Sequence, residues 1–474
     1  MIVGRFTTSE FPGIEFSGHF DPDDANEIVL FCNMPERADT LVSRPRSFTL
    51  SGMASDGKHY LFLYTSILRV TTYGAFSMAE KHHQIICVSS FVIRSNDPLT
   101  EDTKFKRINF SFENAEKFIN LSIYDDHYAD GKTSIISKDK EIRDIGGKIF
   151  FPAKWPTNIS FHDTSSFSHV QLERNISTHS PSYSSPGAVG RIFFSAARDC
   201  GYNFNDLWKF IGKIQLIFSL ALLQINNGKD IEVEISEYQK AEVIYHRKLR
   251  AEIDDNFTWQ FHPLTVRLRQ ADSLKMIGHM FCSFEANESI WSNAVRSILK
   301  RNTISEDDFL WAYRAIDMLC AKKGKKKPIT THPRLQHIID TAAEQIDALG
   351  VENSRFLIAN LRNINKPPAR NSFINFYAVA PSPNIERFFG LNRSFAETVT
   401  KLRNHLTHGN PRPRNPRALN QCIYHARELL FFSVFLSVLD DLEIPYARGD
   451  YTPIPKITNN AFEFLNAGGF ETLF

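Results

Sequence analysis

The sequence predicts an α+β fold in which a β-rich N-terminal region is followed by an all-α helical bundle. Up to about residue 160, short runs rich in β-branched and aromatic residues alternate with Gly, Pro, Asn and Asp clusters. From about residue 271, apolar residues instead recur at spacings of three and four. A chain of 474 residues, 42% hydrophobic and 23% charged, has the composition of a folded soluble protein with two to three domains. The expected division is residues 1–270, residues 271–450 and a C-terminal tail, residues 451–474.

In the first region "EIVLFC", "HYLFLYTSILRVTTYG", "QIICVSSFVI" and "RINFSFENAEKFINLSI" read as strands of a sandwich or curved sheet. Residues 162 to 190, ending in "STHSPSYSSPGAVG", are rich in Ser and Pro and read as a long surface loop. A strand "RIFFSA", a helix "FNDLWKFIGKIQLIFSLALLQ" and a strand "DIEVEIS" follow. The helical region offers candidates at 271–284, 287–300, 305–321, 333–349, 352–362, 391–409 and 416–441.

Several function classes are disfavoured. A formal net charge of +2 leaves polyanion binding to local patches. The six cysteines, Cys32, Cys87, Cys200, Cys282, Cys320 and Cys422, form no CxxC pair and suggest neither a zinc ribbon nor a disulfide framework. A reducing cytoplasm is therefore the expected compartment, and "MIVGRFTTSEFPG" lacks the features of a signal peptide. No membrane partner is expected either: the runs "IQLIFSLALL" and "LLFFSVFLSVL" are about half the ~20 residues of a span, and they read as buried helices. "DGKTS" contains Gly-Lys-Thr, but a phosphate-binding loop would need glycine where the chain has Asp126. "KHHQ" (81–84) reads as a hairpin tip, and His405 with His408 lacks a third ligand, so neither a metal nor a cofactor is expected.

The most informative stretch is "TKLRNHLTHGNPRPRNP", residues 400–416. Leu391, Phe395, Val399, Leu402 and Leu406 form one apolar stripe. At about 100° per residue, Asn404 and His408 fall away from that stripe, Arg403 flanks it, and His405 lies nearer the buried edge. Gly409 can take a left-handed cap, and Pro411 and Pro413 stop the helix. His408 is then in the last turn, where the partial negative charge of the helix end favours imidazolium. Asn415 and Pro416 read as the cap and first position of the next helix, so "HGNPRPRNP" is a tight loop carrying Arg412, Arg414 and Arg417. The plain alternative is a solvated polar helix end. Joint occurrence of Arg-Asn, a last-turn histidine and a basic loop in an all-helical domain weighs against it.

"RNHLTH" resembles the Arg-x4–6-His motif, often starting Arg-Asn, of HEPN-domain proteins, whose small helical bundles carry it near the end of a late helix. The layout is similar to that of the ApeA group of bacterial anti-phage proteins. The resemblance implies an α+β protein with a sensing or regulatory N-terminal domain and a HEPN-type bundle that acts as a metal-independent endoribonuclease. It implies His408 as general acid or base, Arg403 as a phosphate clamp, and Asn404 as a hydrogen-bonding support. Asp317, in "DDFLWAYRAIDML", is the matching carboxylate; its plain reading is a solvated or salt-bridged side chain. Expected partners are RNA, with transfer RNA the family expectation, a second copy in a homodimer or higher oligomer, and a phage-derived trigger at the N-terminal domain. Arg412, Arg414, Arg417, Lys325 and Lys326 are substrate-binding candidates, the lysines from "AKKGKKKP". The other reading is a non-catalytic HEPN-type RNA-binding or scaffold protein.

Overall fold

The computed structural model describes residues 1–21, 26–34, 47–73, 81–112, 124–129, 132–137, 144–145, 148–149, 159–161, 169–178, 188–246, 270–323, 333–350, 353–363, 369–446 and 455–474. The chain divides into two compact units, one of residues 1–218 and 226–249 and the other of 219–225 and 250–474.

The first unit is built on β1 (Ile2–Thr7), β2 (Phe16–Phe20), β3 (Glu27–Met34), β4 (Phe48–Ala54), β5 (His59–Tyr73) and β6 (Lys81–Val88). All pair antiparallel in the order β5-β4-β1-β2-β3-β6, and β6 pairs back to β5. The strands expected in a sandwich or curved sheet thus close into a barrel, which removes free edges. Closure depends on the bend in β5, whose first half pairs with β4 while Ser66–Tyr73 turns to β6. Tyr64 at the bend has φ +53°, and the buried Thr65 hydroxyl bonds Phe62 O and Ser89 Oγ there. Inside, Phe6, Phe20 and Phe62 pack edge to face. Phe6 needs room, which glycines supply: a Cβ on Gly52 would lie 1.9 Å from the Arg5 carbonyl oxygen and 2.7 Å from the Phe6 ring.

Beyond the barrel the sheet runs from β5 through β7 (Phe91–Ser95), then back through strands later in the chain to β8 (Phe105–Phe112). Short pairs join β9 (Tyr124–Ala129) to β10 (Lys132–Ser137), and β11 (Asp144–Ile145) to β12 (Lys148–Ile149). The rest of the sheet comprises β13 (Ile159–Phe161), β14 (His169–Thr178), β15 (Ala188–Tyr202), β16 (Gly228–Glu234) and β17 (Lys240–His246). The helix α1 (Phe204–Ala221) lays Phe210 and Phe218 against Phe110 and Phe112. Two expectations change. Residues 169–178, read as part of a surface loop, form a strand paired along its length with β15. "KHHQ" is not a hairpin tip but the start of β6, with His83 buried beside Thr72.

The second unit is helical: α2 (Gln270–Cys282), α3 (Phe284–Arg296), α4 (Glu306–Lys322), α5 (Pro333–Ala348), α6 (Ser354–Asn363), α7 (Ala369–Ile374), α8 (Pro383–Phe389), α9 (Arg393–His408), α10 (Leu419–Asp441) and α11 (Lys456–Asn466). The centre is α10, buried on every side from Ala426 to Leu439. Residues 416–441 are long and apolar enough to cross a bilayer by length and composition alone, but the helix is mostly buried inside the protein. Its charges are paired. Glu428, fully buried, accepts from Arg301 Nε at 3.2 and 3.0 Å and from Arg427 Nη2 at 3.2 Å. Arg301 also donates to Leu223 O and Thr458 Oγ1, and Arg427 to the carbonyls of Arg301 and Thr303. Burial opposes ionisation of Glu428, but the two guanidiniums hold its carboxyl below the usual range. The expected tail contains α11 and a closing segment in which Phe470 and Leu473 are buried. It is thus part of the helical core.

Candidate functional site

The helix that carries "RNHLTH" starts where the Asn392 side chain accepts the Phe395 N–H at 2.9 Å. Its buried face comprises Phe395, Ala396, Thr398, Val399, Thr400 and Leu402. Leu391, expected in the stripe, precedes that cap and is 77% exposed. At the other end Gly409 adopts φ 73° and donates to His405 O at 2.7 Å, the left-handed cap its sequence suggests. The Asn410–Pro411 peptide is cis. Asn415 makes no side-chain cap, and Pro416–Ala418 form a 3-10 turn, so α10 starts later than expected, at Leu419.

Arg403 is half-buried and Nη1 donates to Asn404 Oδ1 at 3.1 Å. The same Nη1 lies 3.5 Å from His408 Nε2, and the guanidinium carbon stands 5.9 Å from the Tyr313 ring centre. An arginine has only donors to offer, so in this contact the imidazole nitrogen is the acceptor side. Thr407 Oγ1 donates to Arg403 O at 2.9 Å, tying the last turn to the turn before.

Beside Arg403 lies a cleft of about 450 Å³. Asp307, Leu310, Trp311, Tyr313, Arg314 and Asp317 line it from α4, and Arg403 and Thr407 from α9. The structure therefore brings Arg403 and Asp317 into one cleft, with Asn404 and His408 attached through the guanidinium. Tyr313 stacks on Phe373 at 4.6 Å; burial, then the Asp317 carboxylate, pushes its phenol well above the ordinary range, so it stays a proton carrier at neutral pH. This arrangement can hold an anion against a cationic fork with an imidazole beside it.

The loop arginines lie apart. Arg412, Arg414 and Arg417 are exposed in the loop and do not line the cleft, although the Arg414 N–H is anchored on Leu473 O at 2.7 Å. Lys325 and Lys326 fall outside the described residues. Lys323, the last described residue of that lysine run, bonds Asp441, the last residue of α10, at 2.8 Å, which places Lys323 alone. The motif loop precedes the first residue of that helix, and 23 residues at about 1.5 Å each put roughly 35 Å between its ends. Lys322 is likewise engaged, by Ala286 O and Asn287. His405 sits against Phe474 with ring centres 6.4 Å apart.

Sequence reasoning missed Trp311, Tyr313 and Arg314. The signal was present, since Asp307, Trp311, Arg314 and Asp317 recur at helical spacing on the face of α4 that its apolar stripe leaves over.

The chain matches the family model for ApeA N-terminal domain 1 over residues 2–270, more than half its length and short of the helical bundle. Neither a curated protein nor a solved structure matches it. With a β-barrel-rich N-terminal unit covered by that model and a helical unit behind it, the chain belongs to the ApeA group of anti-phage defence proteins.

Proposed function

We propose that the helical unit is a HEPN-type, metal-independent RNA endonuclease through which this defence protein acts, stopping the host or phage by abortive infection. The observation that carries the reading is the Arg403 guanidinium, which joins His408 and Asn404 to a cleft shared with Asp317. In the reaction the ribose 2′-OH attacks the adjacent phosphorus and the bond to the 5′-oxygen breaks, giving a 2′,3′-cyclic phosphate and a 5′-OH. As general base His408 takes the 2′-OH proton, and Arg403 stabilises the charge that grows on the non-bridging oxygens. The 5′-oxygen must also receive a proton. One motif has one histidine in contact with the arginine, so a second copy across a homodimer is the natural source of the acid. Transfer RNA in the bacterial cytoplasm is the substrate to test first, with the β-rich unit as the receiver of a phage-derived trigger.

A non-catalytic RNA-binding or scaffold protein has no need for the His408–Arg403 contact. The test compares the purified chain with His408→Ala for cleavage of total RNA in the presence of EDTA. Loss of cutting in the variant supports the nuclease, and equal activity in both removes it. Light scattering that finds only monomers while activity persists removes the composite dimer site.

A further inference from the structure

The cleft has a second half that the phosphate chemistry does not use. Trp311, half-buried on α4, forms its wall together with Leu310. The guanidinium carbon of Arg296, from α3, stands 5.2 Å from the centre of the indole, and that of Arg314 5.5 Å. Both arginines are exposed. A flat aromatic surface flanked by movable cations, in the same cleft as an anion clamp, matches a nucleotide: the base is apolar and planar, and the phosphates on either side are negative.

We propose that Trp311 is a stacking platform for the base adjoining the phosphate held by Arg403, which makes single-stranded or unpaired RNA the substrate class. This rests on the ribonuclease reading. At more than 5 Å the guanidiniums are cation–π neighbours and not tight stacking partners, so an entering base displaces Arg314 from the ring and leaves it to pair with backbone phosphate. A base inside a duplex already has both faces stacked and cannot use the platform, whereas an unpaired loop or end can. Asp307 and Asp317 border the cleft as hydrogen-bond acceptors for exocyclic amino groups.

The experiment uses the full chain and a single-stranded RNA oligonucleotide whose riboses are 2′-O-methylated, so that it binds but cannot be cut. A set of the same oligonucleotide with one abasic residue moved through every position is titrated by fluorescence anisotropy. Wild-type protein is expected to lose affinity on the order of tenfold when the abasic residue reaches the platform. Trp311→Ala should bind the intact strand about tenfold more weakly and ignore abasic positions, while Trp311→Phe keeps the sensitivity. Wild-type protein indifferent to an abasic residue at every position overturns the platform, and needs no variant to fold. Cleavage of unmodified RNA, run alongside, separates the two readings: cutting without base sensitivity overturns the platform alone, and neither cutting nor binding overturns the nuclease and the platform together.

Discussion

Nη1 of Arg403 stands 3.5 Å from Nε2 of His408, five residues later on the same helix, and also donates to Asn404 Oδ1. One guanidinium thus organises both polar partners and still faces the cleft. A lysine there would keep the charge but not the planar fork that meets two acceptors and a phosphate at once. Arg403→Lys is expected to lower kcat for RNA cleavage by about 10²- to 10³-fold, close to the loss in Arg403→Ala. Because the side chain is only half-buried and lies off the core face, the thermal midpoint should hold. Initial rates on a defined RNA with a parallel melting curve check both statements.

The Arg301–Glu428–Arg427 group predicts a stability change with a definite pH sign. Glu428 is fully buried with both guanidiniums on it, and removing its charge leaves two cations underneath a closed core. Glu428→Gln should cost about 3–5 kcal/mol at neutral pH, read from denaturant unfolding. The folded carboxyl lies below its ordinary value of 4.5, so its contribution is complete above that value and is lost as the pH falls through the folded one. The gap between wild type and Glu428→Gln should therefore be constant from pH 7 to about 5 and narrow on further acidification.

What could be read from the sequence follows from how each segment buries its residues. The motif helix is amphipathic, so Val399 and Leu402 marked the core and left Arg403 and His408 outside it. Its start was misjudged because Leu391 fits the period but precedes the Asn392 cap. The helix Leu419–Asp441 is apolar all round; its burial was legible, but Arg427 and Glu428 inside it revealed nothing of Arg301, which is 127 residues away from Glu428. Residues 369–389 were passed over because a π turn at Asn375–Val379 and Pro383 interrupt the period. Strands β1, β2 and β4 carry Gly4, Gly18 and Gly52, which read as turn residues until the Phe6 ring is seen lying over all three. Trp311 was hidden for another reason: a half-exposed aromatic looks the same in sequence whether it packs or waits for a ligand.

Gly52 makes the barrel testable. No side chain fits between β4 and the Arg5 carbonyl, since a Cβ would approach that oxygen to 1.9 Å. Backbone must move to admit even alanine, and Phe6, 0% exposed, must move with it. Gly52→Ala should destabilise the barrel by about 1–3 kcal/mol or more. The adjacent Met53→Ala, at a position 56% exposed, should change stability by less than about 0.5 kcal/mol. Unfolding of the two variants side by side checks the contrast.

The exposed loop arginines should act on affinity and not on the chemical step. Arg412, Arg414 and Arg417 stand outside the cleft, on a loop whose Arg414 and Asn415 N–H groups both donate to Leu473 O. Long exposed side chains at that position are suited to backbone phosphates beyond the cut site, where each contact on a single strand releases counterions and adds about 0.7 to the slope of log affinity against log salt. Replacing all three by Gln is expected to weaken RNA binding at low salt and to reduce that slope by up to about two, leaving kcat at saturating RNA within about twofold. Leu473→Ala removes a buried side chain beside the anchor but keeps the accepting carbonyl and every cation, so the salt slope should stay. Salt-dependent binding and saturating cleavage rates, measured on both variants, separate a loop that attracts RNA from one that shapes the site.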